Sequence, residues 1–396
     1  MKIAAVLVLL LATCCHAQDA ATLAAREANQ HAFELFQLFR QMTKGNFCFS
    51  PYSGHRVAAM LAEGAKGDTQ KELLAMAHLA RDMTERAAQA AALRQELSKA
   101  AGKGLILEIA NSIWMPQSHS FDPAFVSMAQ EQFGAAAQTL PEDDPTKSAA
   151  IVNRWIRDRT RGRITSLVGP GVFTGDDPTA LVINAVYLKA AWESPFEFIR
   201  TKPRSFTQSS GSTSLLSTMQ QTSAFEYGDS EAWQCLELPF LSGEFSMRFL
   251  LPRLEENRPT IEKSLSSDTW DKVTSAFTNC DVNVLLPRFG FSTQLDLKGL
   301  WQYLGASNVF DRDKCDLTNM IAQRPCWTRQ ILHEATIEVN EIGAEASAAT
   351  AAANPFAAGE PPKRRRVSFI ANHPFLWVIQ HRRTGLILFM GRFAGE

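Results

Sequence analysis

Two serines, an asparagine and a histidine have the best claim to chemistry in this chain. Ser50 and Ser53 stand in "FCFSPYSGHR", Asn184 interrupts the apolar run "ALVINAVYL", and His333 falls on the apolar side of "QILHEATIEVNE". A serine beside a histidine is the raw material of a nucleophilic hydrolase. The supporting parts are missing: the sequence has no G-x-S-x-G elbow, no carboxylate placed to orient His333 and no glycine-rich phosphate loop. Gly169-Pro170-Gly171 lacks the spacing that should follow it, and Asp311-Arg312-Asp313 lacks the glycine and closing glutamate of a calcium loop. Burying an amide or imidazole without partners costs on the order of a few kcal/mol, so these residues are expected to be hydrogen-bonded. The sequence therefore reads as a buried structural network. It points to no enzyme, no metal and no cofactor.

The elements that must position them are legible from periodicity. Residues 20–42 form an amphipathic helix with Phe33, Phe36 and Phe39 among polar neighbours. "AAIVNRWIRDRTRG" puts Ile151, Val152, Trp155 and Ile156 on one stripe, with Gly162 as a stop. "ALVINAVYL" is a strand buried on both faces. In "QILHEATIEVNE", Ile331, His333, Ala335, Ile337 and Val339 face one way, and Glu334, Thr336 and Glu338 the other. "VNVLLPRFGF" and the closing "FLWVIQHRRTGLILFMGRF" are further strands, the last turning at Thr384-Gly385. Helices dominate the first half and strands the second, so the fold class is α+β, with no internal repeat and no linker to split it. The 396 residues are 45% hydrophobic with net charge -1, which supplies a core and argues against nucleic acid as the main partner.

The N-terminus, "MKIAAVLVLLLATCCHAQ", has the pattern of an export signal over residues 1–17, with the mature chain starting near Gln18. On that reading the protein is secreted to the extracellular space, or to the periplasm of a bacterium. Leu11-Ala12-Thr13-Cys14 only faintly resembles a lipoprotein site, and no run reaches the length of a membrane span. Cys48, Cys235, Cys280, Cys315 and Cys326 then remain, with no C-x-x-C pair. They read as scattered core thiols with at most one or two bridges, rather than a dense disulfide framework or a zinc site.

One stretch fits none of these elements. "EIGAEASAATAAANPFAAGEPPKRRR", residues 341–366, spends its positions on small residues and ends in Pro361-Pro362 and a basic run. A helix or a flexible loop could use the alanines. Neither explains such a segment shortly before the end of a compact protein.

Four segments, in order, resemble the serpin family. "FSPYSGHRVAAMLAEGAKGDTQKEL" is similar to the family's Phe-Ser-Pro helix followed by Gly-x-x-x-x-Thr-x-x-Glu-Leu. "NAVYLKAAWESPF" resembles Asn-Ala-x-Tyr-Phe-Lys-Gly-x-Trp-x-x-x-Phe. "HEATIEVNEIGAEASAAT" is similar to the family hinge, and "SFIANHPFLWVIQHRRTGLILFMGRF" to its C-terminal signature. The resemblance spans residues 20–395 and implies one serpin domain over residues 18–396, with eight or nine helices around three β-sheets. It places Ser50, Ser53, Asn184 and His333 beneath the central sheet where its middle strands part. Trp192 falls where loop insertion begins, and the helix around Trp155 lies across the sheet.

A serine protease inhibitor is what the resemblance implies: a monomeric suicide substrate whose cleaved reactive loop enters the central sheet, with the target protease as covalent partner. Serpin loop insertion is a standard example of strand addition and of stored strain released. The hinge then comprises Glu341, Gly343, Ala344, Glu345, Ala346, Ala348 and Thr350. Counted from Ala344, the inward set is Ala344, Ala346, Ala348, Thr350 and Ala352, and Glu345 faces outward. Ile342 and Ala344 depart from the polar residues usual there, and the loop is a few residues longer than in typical members. Spacing from Glu341 lands on Ala357-Ala358 as the reactive bond, which suits an elastase-like pocket. Phe356 is a secondary, chymotrypsin-like candidate. Counting back from "VSFIANHPF" lands near Glu360, and Arg364 represents the trypsin-like option. The rival within the family is a non-inhibitory carrier or chaperone. A second rival makes Lys363, Arg364, Arg365 and Arg366 a weak polyanion contact; a solvated loop terminus is the preferred reading of that run.

Overall fold

In the computed structural model, residues 2–99, 105–141, 144–174, 179–321, 323, 325–344 and 364–395 are described. Among them are nine α-helices. In the first half these are α1 (Lys2–Met42), α2 (Pro51–Gly64), α3 (Gly67–Met76), α4 (Met83–Lys99), α5 (Pro123–Phe133) and α6 (Pro145–Arg159). Three shorter ones follow: α7 (Arg258–Ser264), α8 (Ser267–Ser275) and α9 (Lys298–Tyr303). Local chemistry starts several of them. Ser50 caps α2 by accepting from the Ser53 N–H, with Pro51 in the first turn, and Asp122-Pro123 starts α5 in the same way. Gly134, at φ 63°, ends α5 in the left-handed conformation. No helix among the described residues is long and apolar enough to cross a membrane.

The strands are β1 (Phe47–Phe49), β2 (Leu105–Pro116), β3 (Ala136–Leu140), β4 (Thr179–Ala191), β5 (Lys202–Thr207), β6 (Thr213–Asp229), β7 (Trp233–Pro239) and β8 (Phe245–Pro252). The second half adds β9 (Thr278–Pro287), β10 (Phe289–Asp296), β11 (Trp327–Val339) and β12 (Gly343–Ala344). The last three are β13 (Arg366–Ile370), β14 (Phe375–His381) and β15 (Ile387–Phe393). Three segments differ from their sequence reading. The helix read over 20–42 runs from Lys2, so the apolar N-terminal run is continuous with it. The helix around Trp155 ends at Arg159, and Gly162 lies in the turn beyond it at φ 78°. The strand segment "VNVLLPRFGF" divides into β9 and β10, because residues up to Pro287 pair with β6 in the larger set while Phe289 onward pairs with β11 in the other.

Hydrogen bonding links the strands into two sets. One is the order β10-β11-β12-β4-β2-β3, the central sheet; the other has nine strands. The larger set joins two of the expected sheets because β6 is long. It pairs with β5 and β9 along most of its length, and with β7 at Glu226–Asp229. On the outer face of the central sheet, Val152 and Ile156 of α6 pack with Leu181, Ile183 and Ala185 of β4. Trp114 meets Trp155 edge-on at 5.9 Å. The inner face divides between two apolar clusters. Val182 and Ile331 belong to one, with Leu61 and Phe49; Val186, Ala335 and Ile337 belong to the other, with Phe249 and Trp377. Asn184 and His333 lie on the boundary between them.

Candidate functional site

Strand register brings the polar residues together. Asn184 of β4 is directly opposite Asn111 of β2 on one side and His333 of β11 on the other. Three polar side chains therefore form a row across the middle of the sheet, on the face that meets α2. The Asn184 amide Nδ2 donates to Asn111 Oδ1 at 2.5 Å and to Ser53 Oγ. Its Oδ1 accepts from His333 Nδ1 at 2.5 Å, while the backbone N–H of Ser50 donates to His333 Nε2 at 3.1 Å. That pattern selects the neutral tautomer with the proton on Nδ1. Burial drives the His333 pKa down to about 4. With Nε2 occupied by a backbone donor and no carboxylate on the other nitrogen, this histidine cannot serve a serine as general base. Ser50 Oγ is likewise engaged, donating to the Leu388 carbonyl at 2.7 Å. Asn111 was missed from sequence, although "LILEIANSIWMP" carries the same signal as "ALVINAVYL": one amide inside an apolar run.

A second arrangement sits at the end of the same strands. The parallel ladder between β11 and β4 extends to Thr336 and Tyr187 and then stops. In the fork beyond it lies β12: Ala344 pairs with Val339 of β11 and with Ala190 of β4, and Gly343 pairs with Ala191. Ala344 is fully buried among Val339, Ala190 and their neighbours. A Cβ on Gly343 would collide with the Ala190 carbonyl and lie 2.7 Å from the Ala191 Cα, so only glycine fits there. Asn340 makes the turn into β12: its Oδ1 accepts from the N–H groups of Ile342 at 3.0 Å and Gly343 at 3.3 Å. Trp192 holds that turn. Its indole N–H donates to the Asn340 carbonyl at 2.9 Å, its backbone N–H to the Ile342 carbonyl at 2.8 Å, and its ring stacks on Phe240 at 4.9 Å. Glu341 is buried, accepting from Thr201 Oγ1 at 2.7 Å with Arg288 at 3.6 Å.

The chain returns to the described residues at Arg364. Its guanidinium is 3.6 Å from Asp281, and Arg365 makes a bidentate pair with Asp229 at 2.9 Å on both arms. Arg253 shares that carboxylate at 2.7 Å. Arg366 then opens β13 beside β9. Glu345, Ala346, Ala348, Thr350, Phe356, Ala357, Ala358, Glu360 and Lys363 lie outside the described residues. The five cysteines from Cys48 to Cys326 are free and buried, and no cluster among the described residues could hold a metal ion.

A sheet fork filled by a glycine–alanine pair, a polar row in the same sheet and a helix across its outer face match the family implied by the motifs. The serpin (serine protease inhibitor) family profile covers residues 26–395. The chain is a serpin. It is 33% identical over 374 residues to leukocyte elastase inhibitor A of Rattus norvegicus, covering 91% of this chain and 96% of the relative. It is 32% identical over 375 residues to the human leukocyte elastase inhibitor, covering 92% and 97%. Among solved structures, native protease nexin-1 with heparin superposes with a TM-score of 0.84 at 25% identity, over 95% of this serpin and 100% of that chain. Serpin48 of the insect Tenebrio molitor gives 0.82 at 26% identity, over 94% and 98%.

These relatives correct one expectation. The secreted localisation read from the N-terminus is contradicted, because the leukocyte elastase inhibitors this serpin resembles are intracellular. The physical reason is that the pattern is not unique. A lysine followed by an apolar alanine–leucine run also makes a helical extension, and here it continues directly into α1.

Proposed function

We propose that this serpin inhibits serine proteases as a consumed, monomeric substrate. The protease attacks the loop after Ala344 and is held as an acyl-enzyme at the residue before the cut. It is then carried along as the freed segment enters the central sheet. The observation that carries this reading is the fork itself, where Gly343–Ala344 already pairs with both β4 and β11. Continuing that insertion exchanges one parallel ladder for two antiparallel ones, adding hydrogen bonds at about 1 kcal/mol each. A native state that holds such a gain in reserve is trapped kinetically. Speed decides the outcome, since slow insertion lets water complete the hydrolysis.

With Ala344 inward, alternation would turn Ala346, Ala348, Thr350 and Ala352 into the interior and leave Glu345 outside. None of the inward residues is large or charged, which favours an inhibitor over a carrier. For the reactive bond we retain Ala357-Ala358, with Phe356, Glu360 and Arg364 behind it. A strand advances about 3.3 Å per residue, so a cut further along would leave slack between sheet and acyl bond. The contact of Arg364 with Asp281 also favours a cut upstream of it. The pairing of Arg365 with Asp229 supports a solvated loop base rather than a polyanion site. Elution from immobilised heparin, compared with a quadruple alanine variant of Lys363 to Arg366, checks that point.

The test is incubation with an elastase, a chymotrypsin-like enzyme and trypsin, followed by denaturing electrophoresis and mass spectrometry. An SDS-resistant complex with the elastase, acylated at Ala357, is the expected product. Absence of a covalent complex with all three would sink the inhibitory reading. A stable complex with trypsin acylated at any of Lys363 to Arg366 would overturn the reactive bond alone.

A further inference from the structure

A cavity of about 430 Å³ lies where α1, α2, α4 and α5 meet. That is within the size range of small-ligand pockets. Its volume has a cause in the sequence. Ala24 of α1, Ala59 of α2, and Ala87 and Ala90 of α4 stand where larger side chains would fill the junction. Leu79, Met83, Leu93 and Met128 give it apolar walls.

Two guanidiniums converge beside these walls. Arg56 Nη2 and Arg94 Nη1 both donate to the carbonyl of Gln132, at 2.8 and 2.9 Å. Arg56, which lines the cavity, also lies over the rings of Tyr52 and Phe133, at 5.8 and 5.3 Å. Neither arginine forms an ion pair with a carboxylate among the described residues. Desolvation and the charge of Arg56 hold Arg94 below the usual arginine range, as expected of a cation short of a counter-charge. The remaining cavity arginine, Arg86, is already paired with Glu63 at 2.7 Å. Glu27, on the α1 wall, is held above the usual carboxylate range by burial and by Glu85. A second carboxylate is disfavoured on that side, which gives an anionic ligand one orientation.

We propose that this cavity binds a small amphiphile with a carboxylate head, its apolar body between α2 and α4 and its head on Arg56 and Arg94. Guanidinium forks match a planar carboxylate in geometry as well as charge. The site can be read on the intact protein with no protease present, so its failure and that of the inhibitory reading are separate outcomes.

The experiment is titration calorimetry of the full chain with decanoate, decan-1-ol and decylamine, which share a body and differ in the head. Decanoate is expected to bind saturably and at least about tenfold tighter than the other two, the range of one charge-assisted contact. The paired substitutions Arg56→Gln and Arg94→Gln should bring decanoate to the level of decan-1-ol and leave decan-1-ol unchanged. Ala90→Phe should abolish binding of both by filling the cavity. Should Ala90→Phe fail to fold by circular dichroism, the head-group series and the arginine variant still decide. Equal affinity for the three heads, decanoate binding that survives loss of both arginines, or no saturable decanoate binding would each overturn the proposal.

Discussion

The fork at Ala344 and the polar row at Asn184 lie on the same two strands, yet one is open and the other closed. At the fork, β4 and β11 are separated by a segment whose residues are small. The seal comes from outside the strands, through Trp192, Phe240 and the Asn340 turn. At the row the strands pair directly, and hydrogen bonds between Asn184 and each of Asn111, His333 and Ser53 tie three strands and α2 to one another. The row also divides two apolar clusters. An opening that begins at the fork therefore meets directional bonds before it reaches the lower core. Apolar contacts can slide and re-form, whereas a buried hydrogen bond that is broken leaves its partners unsatisfied. The comparison assigns entry to the fork and resistance to the row.

The largest effect should come from charging the fork. Ala344→Arg places a cation where the side chain is now fully buried, and desolvation should keep that residue out of the sheet. Cleavage by the target protease should persist while the yield of SDS-resistant complex falls at least about tenfold. Trapping at the wild-type stoichiometry would show that the inward register is wrong. Next in size is the consequence of cutting the loop. If the fork is the entry, the cut protein gains a central strand, and its unfolding midpoint should rise by roughly 10 °C or more over the intact form. Equal midpoints would favour a non-inhibitory serpin.

The row and the seal can then be weighed against each other. Asn184→Ala leaves Ser53, Asn111 and His333 each short of a partner and should cost about 2–3 kcal/mol. Trp192→Phe removes one hydrogen bond to the Asn340 carbonyl and should cost about 1 kcal/mol. Urea midpoints of the uncut variants measure both, and a larger loss for Trp192→Phe would reverse the assignment of resistance.

The buried histidines supply a last test, through pH. His333 and His55 are held down to about 4, and His31 to about 3, all by burial. Below 6.5 the unfolded chain takes up protons these residues refuse when folded, so stability present above that pH is lost as it falls toward 4. Each group contributes roughly 1 kcal/mol per pH unit in that window. Glu334 acts oppositely, since burial raises it to about 6 and the folded state then binds the extra proton. The net slope should be positive between pH 4.5 and 6.5 and should shrink by about one histidine's share in His333→Gln. A flat profile of unfolding midpoint against pH would contradict the buried neutral tautomer.

Much of this was legible along the chain. Asn184 and His333 stood out as polar residues on strands whose periodicity required burial. Ser50 announced itself as the cap before Pro51. These are local properties: a strand's alternation and a helix's cap depend on a few neighbouring residues. The sequence by itself thus determined the element types, the candidate polar row and, through its motifs, the family. Other features were decided only by the tertiary structure. Asn111 joins the row because of the register of β2 against β4, which no stretch of either strand encodes alone. The split of β9 from β10 and the linking of two sheets through β6 depend on which edges found partners. The fork holds Gly343 because the backbone of β4 passes too close for a side chain, and the four-helix cavity exists because alanines distant in sequence meet there. Local pattern sets what each segment can become, but distances between segments arise only when their faces pack, and both sites are made of such distances.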